Sequence, residues 1–413
     1  MKIVHISYWE NQGGAAIAAN RLHKAMLKNG MDSNMLVVER DSNSKHVFSI
    51  NTSWNKILLL FYSILSSRLL SPYRPYLGNF SINGWGIDIT KYEIVKKSDI
   101  IYLHWINNSM VSLSSIKKLL KQGKIIVWFL HDMYPLTGGC HHSFNCDKFQ
   151  NYCGNCTLLK SNMKYDISYL QLRHKKRMLN NNSRLSIVAP SHWLAKCAYN
   201  SSLFHLNKIT VIPNLIDIKD FKIISRDLAR NILGLPHKGQ LILFGADKGV
   251  ENPYKGWKYL RDALSLMGEG CSLVTFGDSY DLEEIGLSMP VYNMGKLRDV
   301  YSLNLLYSAC NVFVIPSLAE AFGQTALEAT MAGIPVVGFD IGGIPDVIHH
   351  KQNGFLAKYK DSTSLKQGID WCLNIESDDF ALKCRAISES NFSAFEVIKL
   401  HKKMILDLQD ERI

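Results

Sequence analysis

The sequence predicts an α/β chain made of two doubly wound, Rossmann-like domains, and three observations carry that prediction. Short β-rich runs alternate with helix-length stretches, the rhythm restarts midway, and 413 residues with 47% apolar and 20% charged suffice for two domains. In the first half the runs are KIVHIS, NMLVV, DIIYLHW, KIIVWFL, LSIVA and ITVI. Alternation with helical stretches implies βαβ units and a parallel sheet. After the turn at Pro213 and Asn214 the rhythm resumes with QLILF, SLVTF, PVY, NVFVI, PVVGF and GFLA. The expected domains are therefore residues 1–210 and 211–392, with a final helix at about 393–413 packing back on the first. Ser393 with Glu396 three residues on forms a capping box for that helix, and Val397, Leu400, Met404 and Leu408 share one face.

Charge divides the halves. Residues 1–210 hold 26 Lys and Arg against 10 Asp and Glu, a net of +16, whereas residues 211–413 hold 21 against 26, a net of −5. A cationic half attracts nucleic acid, anionic lipid or a phosphorylated substrate, and composition alone does not rank them. The opening MKIVHISYWENQGG has no apolar run before Glu10, so it reads as a strand and a Gly-rich turn rather than a signal peptide, and a cytoplasmic chain is expected. The longest uncharged apolar stretch, ILLLFYSILSS between Lys56 and Arg68, falls short of the roughly 20 residues needed to span a bilayer. The basic-flanked segment 56–74 reads either as a buried helix, the commoner meaning, or as a helix lying at the inner face of an anionic plasma membrane.

The richest constellation is NVFVIPSLAEAFGQTALEATMAG. A buried strand ends at Pro316, a loop follows, and a helix is expected from about Gln324 to Met331 before Gly333 stops it. Ligands of open α/β sheets bind at this carboxyl edge. The free amides of Phe322, Gly323 and Gln324 open the helix, which favours anionic or hydroxyl-rich groups. Glu320 precedes the helix and Glu328 lies in its second turn, so the two carboxylates address two ends of one ligand, as acceptors for sugar hydroxyls. The blander possibility is a helix cap and a solvated face residue.

Other candidates lie at the same kind of edge. Lys255 in ENPYKGWKYL follows the strand QLILF, and a point cation there suits a diphosphate. Gly14 belongs to paired glycines that open a helix directly after the first strand, a phosphate- or substrate-approach loop. The third glycine and acidic partner of a dinucleotide site are missing, which argues against a nicotinamide cofactor. His131 and Asp132 end the run IIVWFL, where a histidine can hydrogen-bond or move a proton at a reacting centre, or simply sit satisfied in the core. No Asp-x-Asp pair occurs, so a diphosphate held through a divalent cation is not expected.

Cys140, Cys146, Cys153 and Cys156 have the spacing C-x5-C-x6-C-x2-C. In a cytoplasmic chain this suits a closed tetrahedral structural zinc site, with His141 or His142 as a substitute ligand, while free thiols, a disulfide and an iron–sulfur cluster stay open.

Together these features resemble family-four glycosyltransferases, the large retaining GT-B family, over nearly the whole chain. The resemblance implies two Rossmann-like domains facing across a cleft, a nucleotide-diphosphate sugar donor, and no catalytic cofactor. By motif position, the E-x7-E carboxylates Glu320 and Glu328 would lie beside the transferred sugar and on the ribose hydroxyls. Phe322, Gly323 and Gln324 would contact the sugar, and Thr325 the diphosphate. Lys255 matches the diphosphate lysine of the K-G element, Lys296 and Leu297 in MGKLRD border the nucleobase, His131 matches a histidine near the donor sugar, and Gly14 matches the glycine loop. The chain departs from the pattern where an arginine normally precedes the K-G lysine; Lys248 stands there, with different geometry. The linker reads IPNLID in place of IPNGID. The fragment FLHDMYPLTGGCHHSFNCDKFQNYCGNC looks like a bacterial subgroup that builds exopolysaccharide or O-antigen repeats, with a glycan or polyprenyl-diphosphate-linked acceptor. The rival expectations are a GT-B epimerase or phosphorylase, and a non-catalytic nucleotide-sugar-binding protein. Nucleic acid is disfavoured because the cysteine loop lacks basic and aromatic interleaving.

Overall fold

The computed structural model describes all residues except 75–77, 83, 180–181, 246–251, 278–285, 298, 376–377 and 411–413. It divides into two compact units, Met1–Leu215 with Val397–Ile413, and Ile216–Glu396.

The first unit is built on seven parallel strands: β1 (Lys2–Trp9), β2 (Asp32–Glu39), β3 (Val47–Ser49), β4 (Ile100–Leu103), β5 (Ile125–Phe129), β6 (Leu185–Ala189) and β7 (Ile209–Val211). Their order is β3-β2-β1-β4-β5-β6-β7. The central runs IIYL and IIVWF are buried at every position, as required where helices cover both faces of a parallel sheet. The six runs expected here all form strands. β3 was not expected: three residues at a sheet edge leave almost no alternation to detect.

The second unit has six parallel strands, β8 (Gln240–Gly245), β9 (Cys271–Phe276), β10 (Val291–Asn293), β11 (Val312–Ile315), β12 (Val336–Phe339) and β13 (Gly354–Ala357), in the order β10-β9-β8-β11-β12-β13. Leu241 and Leu243 enter one apolar layer with Phe313 and Leu327, and Ile242 and Phe244 enter the opposite layer with Val314 and Val337. The period of two thus fills a core on each face. In both sheets the strand order reverses between two neighbours, β1 and β4 in the first and β8 and β11 in the second. At such a reversal the flanking helices diverge and leave a crevice outside the carboxyl ends of the strands.

Two expectations about helices change. In the C-terminal helix Ala394–Asp410, Val397, Met404 and Leu408 are buried, but Leu400 is exposed and His401 takes the inner position. Ser393 ends the preceding helix instead of capping the last one: its N–H bonds Glu389 O, and Ile216 pairs its backbone with Phe392 O and the Ala394 N–H. The helix Ser53–Leu70 starts at Thr52, whose hydroxyl accepts from the Asn55 N–H at 3.2 Å. Only Asn55 and Leu70 are buried in it, while Trp54, Ile57, Leu60 and Phe61 are 68%, 58%, 64% and 57% exposed. The reading of segment 56–74 as a buried helix is therefore corrected. Among the described residues no helix is long and apolar enough to cross a membrane.

Candidate functional site

The site in the second unit stands at the reversal between β8 and β11, which pair directly through Ile242 with Val312 and Phe244 with Val314. Asn252, beyond β8 in the chain, accepts from the Tyr254 N–H at 3.1 Å through its side chain and starts the turn Pro253–Lys255. Gly256 closes that turn at φ 68°. A Cβ there would lie 1.9 Å from Pro316 O. Tyr254 O accepts from the Leu318 N–H at 2.7 Å, so the K-G turn is docked on the loop that follows β11. Lys248, the expected stand-in for the arginine, lies outside the described residues.

The loop after β11 is fixed from its other side by Gly342 and Gly343. A Cβ on Gly342 would come 2.2 Å from Glu320 O, and one on Gly343 would come 2.3 Å from Ala321 O. The Gly343 N–H donates to Glu320 O at 3.0 Å. Sequence reasoning missed this glycine pair, although G-G after the strand PVVGF is a turn signal of its own. Held between the two turns, Glu320 presents Oε2 at 3.5 Å from Lys255 Nζ, and both side chains stay partly exposed.

The helix Gln324–Met331 forms as expected, with Gly323 at φ 102° as its N-cap. Phe322 turns inward, edge-on to Phe392 at 5.7 Å, which leaves its backbone on the loop. Thr325 is partly buried in the first turn. Glu328 is buried, at 5% exposure, and Tyr307 donates its hydroxyl to Oε2 at 3.5 Å. A solvated helix face is thereby excluded for Glu328, and Tyr307 is a contact the sequence did not disclose. The side-chain amide of Gln324 and the Ser317 hydroxyl are buried with no hydrogen-bond partner among the described residues; such groups next to a helix N-terminus suit a polar ligand. Lys296 and Leu297 lie beyond the turn at Gly295 that follows the edge strand β10, Lys296 exposed and Leu297 resting on the core. They occupy the same carboxyl edge, two strands away from β8.

In the first unit, Gly13 at φ 81° caps the helix Gly14–Lys28, and no atom lies within 4 Å of a Cβ on Gly13 or Gly14. His131 follows β5 and its Nε2 lies 2.9 Å from His104 Nδ1; His104 Nε2 lies 2.9 Å from His5 Nδ1. Burial pushes His131 down to about 4 and His5 and His104 well below the ordinary histidine value, so all three are neutral near pH 7. His5 and His104 were missed, though each is a polar residue set in or just after an apolar strand run. Asp132 holds His141 Nδ1 at 2.7 Å and accepts the Tyr134 N–H at 2.8 Å. Burial by itself would raise its carboxyl, but His141 and these hydrogen bonds hold it below the usual carboxylate value.

Among the described residues no group of three or more His, Cys, Asp or Glu side chains could hold a metal ion, and Cys140, Cys146, Cys153 and Cys156 are free. His141 has both ring nitrogens engaged, by Asp132 and by Ser81 Oγ at 2.8 Å. Burial raises the Cys156 thiol and pushes Cys153 up to about 12, and the nearby Cys146 thiol adds to both shifts. The loop is tied by Lys175. This side chain is fully buried, donates to the carbonyls of Tyr134 and Thr137, and lies 3.8 Å above the Tyr134 ring.

Residues 240–374 match the family model described as Glycosyl transferases group 1. That segment holds Lys255, Glu320, Gly342 and Glu328. A putative colanic acid biosynthesis glycosyl transferase, WcaC of Escherichia coli K12, is 24% identical over 82% of each chain. An uncharacterized glycosyltransferase of Methanocaldococcus jannaschii is 42% identical over 35% of this chain and 38% of that protein. Apart from WcaC, the first curated relatives are matched over 23% to 51% of their length. Among solved structures, sucrose-phosphate synthase of Thermosynechococcus elongatus has a TM-score of 0.67 at 19% identity, covering 98% of this chain and 99% of that one. Anabaena HepE, solved with UDP and glucose, has a TM-score of 0.65 at 19% identity over 98% and 99% of the two chains. At these identities the structural likeness is one of fold. The class so defined is a protein of GT-B fold, with two Rossmann-like α/β units. Its second unit carries the sequence pattern of the group 1 glycosyl transferases.

Proposed function

We propose that the protein is a retaining, metal-independent glycosyltransferase that moves a sugar from a nucleotide-diphosphate donor to a hydroxyl of a glycan or lipid-linked glycan. Its setting would be the synthesis of a bacterial cell-surface polysaccharide. The observation that supports this reading best is the pairing of Lys255 with Glu320 at the reversal of the second sheet. A partly exposed cation and a partly exposed carboxylate are held there by backbone turns, beside the amide end of the Gln324–Met331 helix. In this account Lys255 and the helix amides stabilise the departing diphosphate as the glycosidic bond loosens. Glu320 positions the sugar and steadies oxocarbenium charge. Buried Glu328, steadied by Tyr307, accepts from the ribose hydroxyls. The acceptor oxygen attacks from the face the nucleotide leaves, and the leaving phosphate oxygen takes its proton, so no enzyme nucleophile is required.

Support for the sugar-nucleotide reading also comes from HepE, whose structure holds UDP-glucose. WcaC, a putative colanic acid biosynthesis glycosyl transferase, favours the surface-polysaccharide setting. The exposed apolar face around Trp54, Leu60 and Phe61, within a half of net charge +16, suits contact with an anionic membrane carrying a lipid-linked acceptor. The deciding experiment is a panel of nucleotide sugars tested for binding and turnover, with and without glycan acceptors. Saturable binding of one donor that Lys255→Ala weakens at least about tenfold is expected for a lost charged contact. Turnover without any acceptor, giving an isomerised or phosphorolysed sugar, would favour an epimerase or phosphorylase. Binding with no turnover would favour a non-catalytic role.

A further inference from the structure

His5, His104 and His131 form one hydrogen-bonded row, Nδ1 to Nε2 at each step, across the carboxyl half of the first sheet. His5 comes from β1, His104 follows β4 and His131 follows β5, so adjacent strands supply the three rings. The rings are held by stacking as well: His104 lies 5.2 Å from His5 and 5.6 Å from Phe129, and His131 lies 5.0 Å from Phe129. A neutral imidazole has one donor and one acceptor nitrogen. The row therefore has only two polarities, and one proton position fixes the other two. Its inner end is His5 Nε2, which is buried with no hydrogen-bond partner among the described residues. A buried orphan N–H is rarer than a buried orphan acceptor. The favoured polarity leaves His5 Nε2 bare, runs His5 Nδ1–H to His104 Nε2 and His104 Nδ1–H to His131 Nε2, and puts the proton of His131 on Nδ1.

We infer that His104 and His5 are positioning residues that fix His131 as a hydrogen-bond donor through Nδ1–H toward an oxygen of the bound substrate, and not as a general base. The substrate half of this statement rests on the glycosyltransferase reading; the tautomer half does not. Burial keeps the row neutral near pH 7 and is consistent with it.

The test uses protein labelled with nitrogen-15 at histidine, with His131 assigned by loss of its signals in His131→Gln. Wild type is expected to show His131 protonated at Nδ1 and bare at Nε2. His104→Phe, which keeps the stacking and removes the donor, should convert His131 to the other tautomer or a mixture. His104→Asn, whose amide nitrogen replaces Nδ1, should restore it. If His104→Phe does not fold, His5→Phe tests the inner end and should also shift the His131 population. A wild-type His131 protonated at Nε2, or a His131 signature unmoved by these substitutions, overturns the inference. In turnover, His104→Phe should lower kcat about tenfold or more with little change in KM, and His104→Asn should recover most of it. The expected spectra with no turnover of any nucleotide sugar would sink the glycosyltransferase reading and leave the tautomer assignment standing.

Discussion

Lys255 and Glu320 lie 65 residues apart in the chain and face each other with Nζ 3.5 Å from Oε2. The distance is long for an ion pair and both groups are partly exposed, so the pairing adds little stability. Its value is positional. Two strands that neighbour each other at the sheet reversal deliver a cation and a carboxylate to one edge, and the exposed cation can exchange the carboxylate for a diphosphate.

Glu320→Gln and Glu320→Ala are expected to lower kcat by about a hundredfold or more while nucleotide binding stays within about threefold, because the carboxylate acts where charge develops and not on the nucleotide. Steady-state kinetics with calorimetry of the nucleoside diphosphate checks this. Near-normal turnover by both variants removes Glu320 from the reaction.

Glycine substitutions separate architecture from ligand access. Gly256→Ala and Gly342→Ala place a Cβ 1.9 Å from Pro316 O and 2.2 Å from Glu320 O at positive φ, and each should cost about 2–4 kcal/mol in chemical denaturation. Gly14→Ala meets no atom within 4 Å and should stay within about 0.5 kcal/mol of the parent. If Gly14 lets a substrate approach the backbone, the same variant raises KM.

Buried histidines make the first unit acid-labile. Burial lowers His23 and His131 to about 4 and His401 to about 3. Below the ordinary value near 6.5 the unfolded chain binds more protons than the folded one. Stability therefore falls as pH drops from about 6.5 toward about 4, by up to ~1.4 kcal/mol per pH unit per group, and levels off below the folded values. Urea midpoints at pH 7, 5 and 4 test the slope. His401→Gln, which can still meet the Tyr102 hydroxyl now 3.1 Å from His401 Nδ1, should flatten it by about one group's share.

The exposed helix Ser53–Leu70 predicts membrane partition. Between Asp41 and Asp88 the sequence has no acidic residue, while Lys56, Arg68 and Arg74 flank the apolar side chains. Trp54→Ser with Phe61→Ser removes two large exposed aromatics, and binding to anionic vesicles should weaken at least about tenfold. Flotation at low and high salt measures it. Equal recovery with zwitterionic vesicles, or no effect of the double substitution, counts against this surface.

Much of the architecture was legible because parallel-sheet strands are continuous apolar runs: the twelve expected runs are strands, and only the three-residue β3 escaped. The carboxylate pair in EAFGQTALE was legible because its spacing lies within one loop and one short helix. What escaped depends on distant chain. The His5–His104 contact spans 99 residues, Gly343 reaches back to Glu320, and Tyr307 meets Glu328 from another helix. The apolar run after Lys56 carried no sign of whether neighbours cover it, and the cysteine spacing did not disclose that Asp132 and Ser81 occupy His141. Spacing specifies what can meet locally; packing decides what does.

The proposed reaction transfers a sugar with retention and without a metal. Proton NMR of the anomeric centre during a reaction containing a nucleotide-sugar donor, a glycan acceptor and excess EDTA tests it most directly. The expected product is a new glycoside with the donor's anomeric configuration, formed in step with release of nucleoside diphosphate. An inverted product, or transfer abolished by EDTA and restored by a divalent cation, would contradict it.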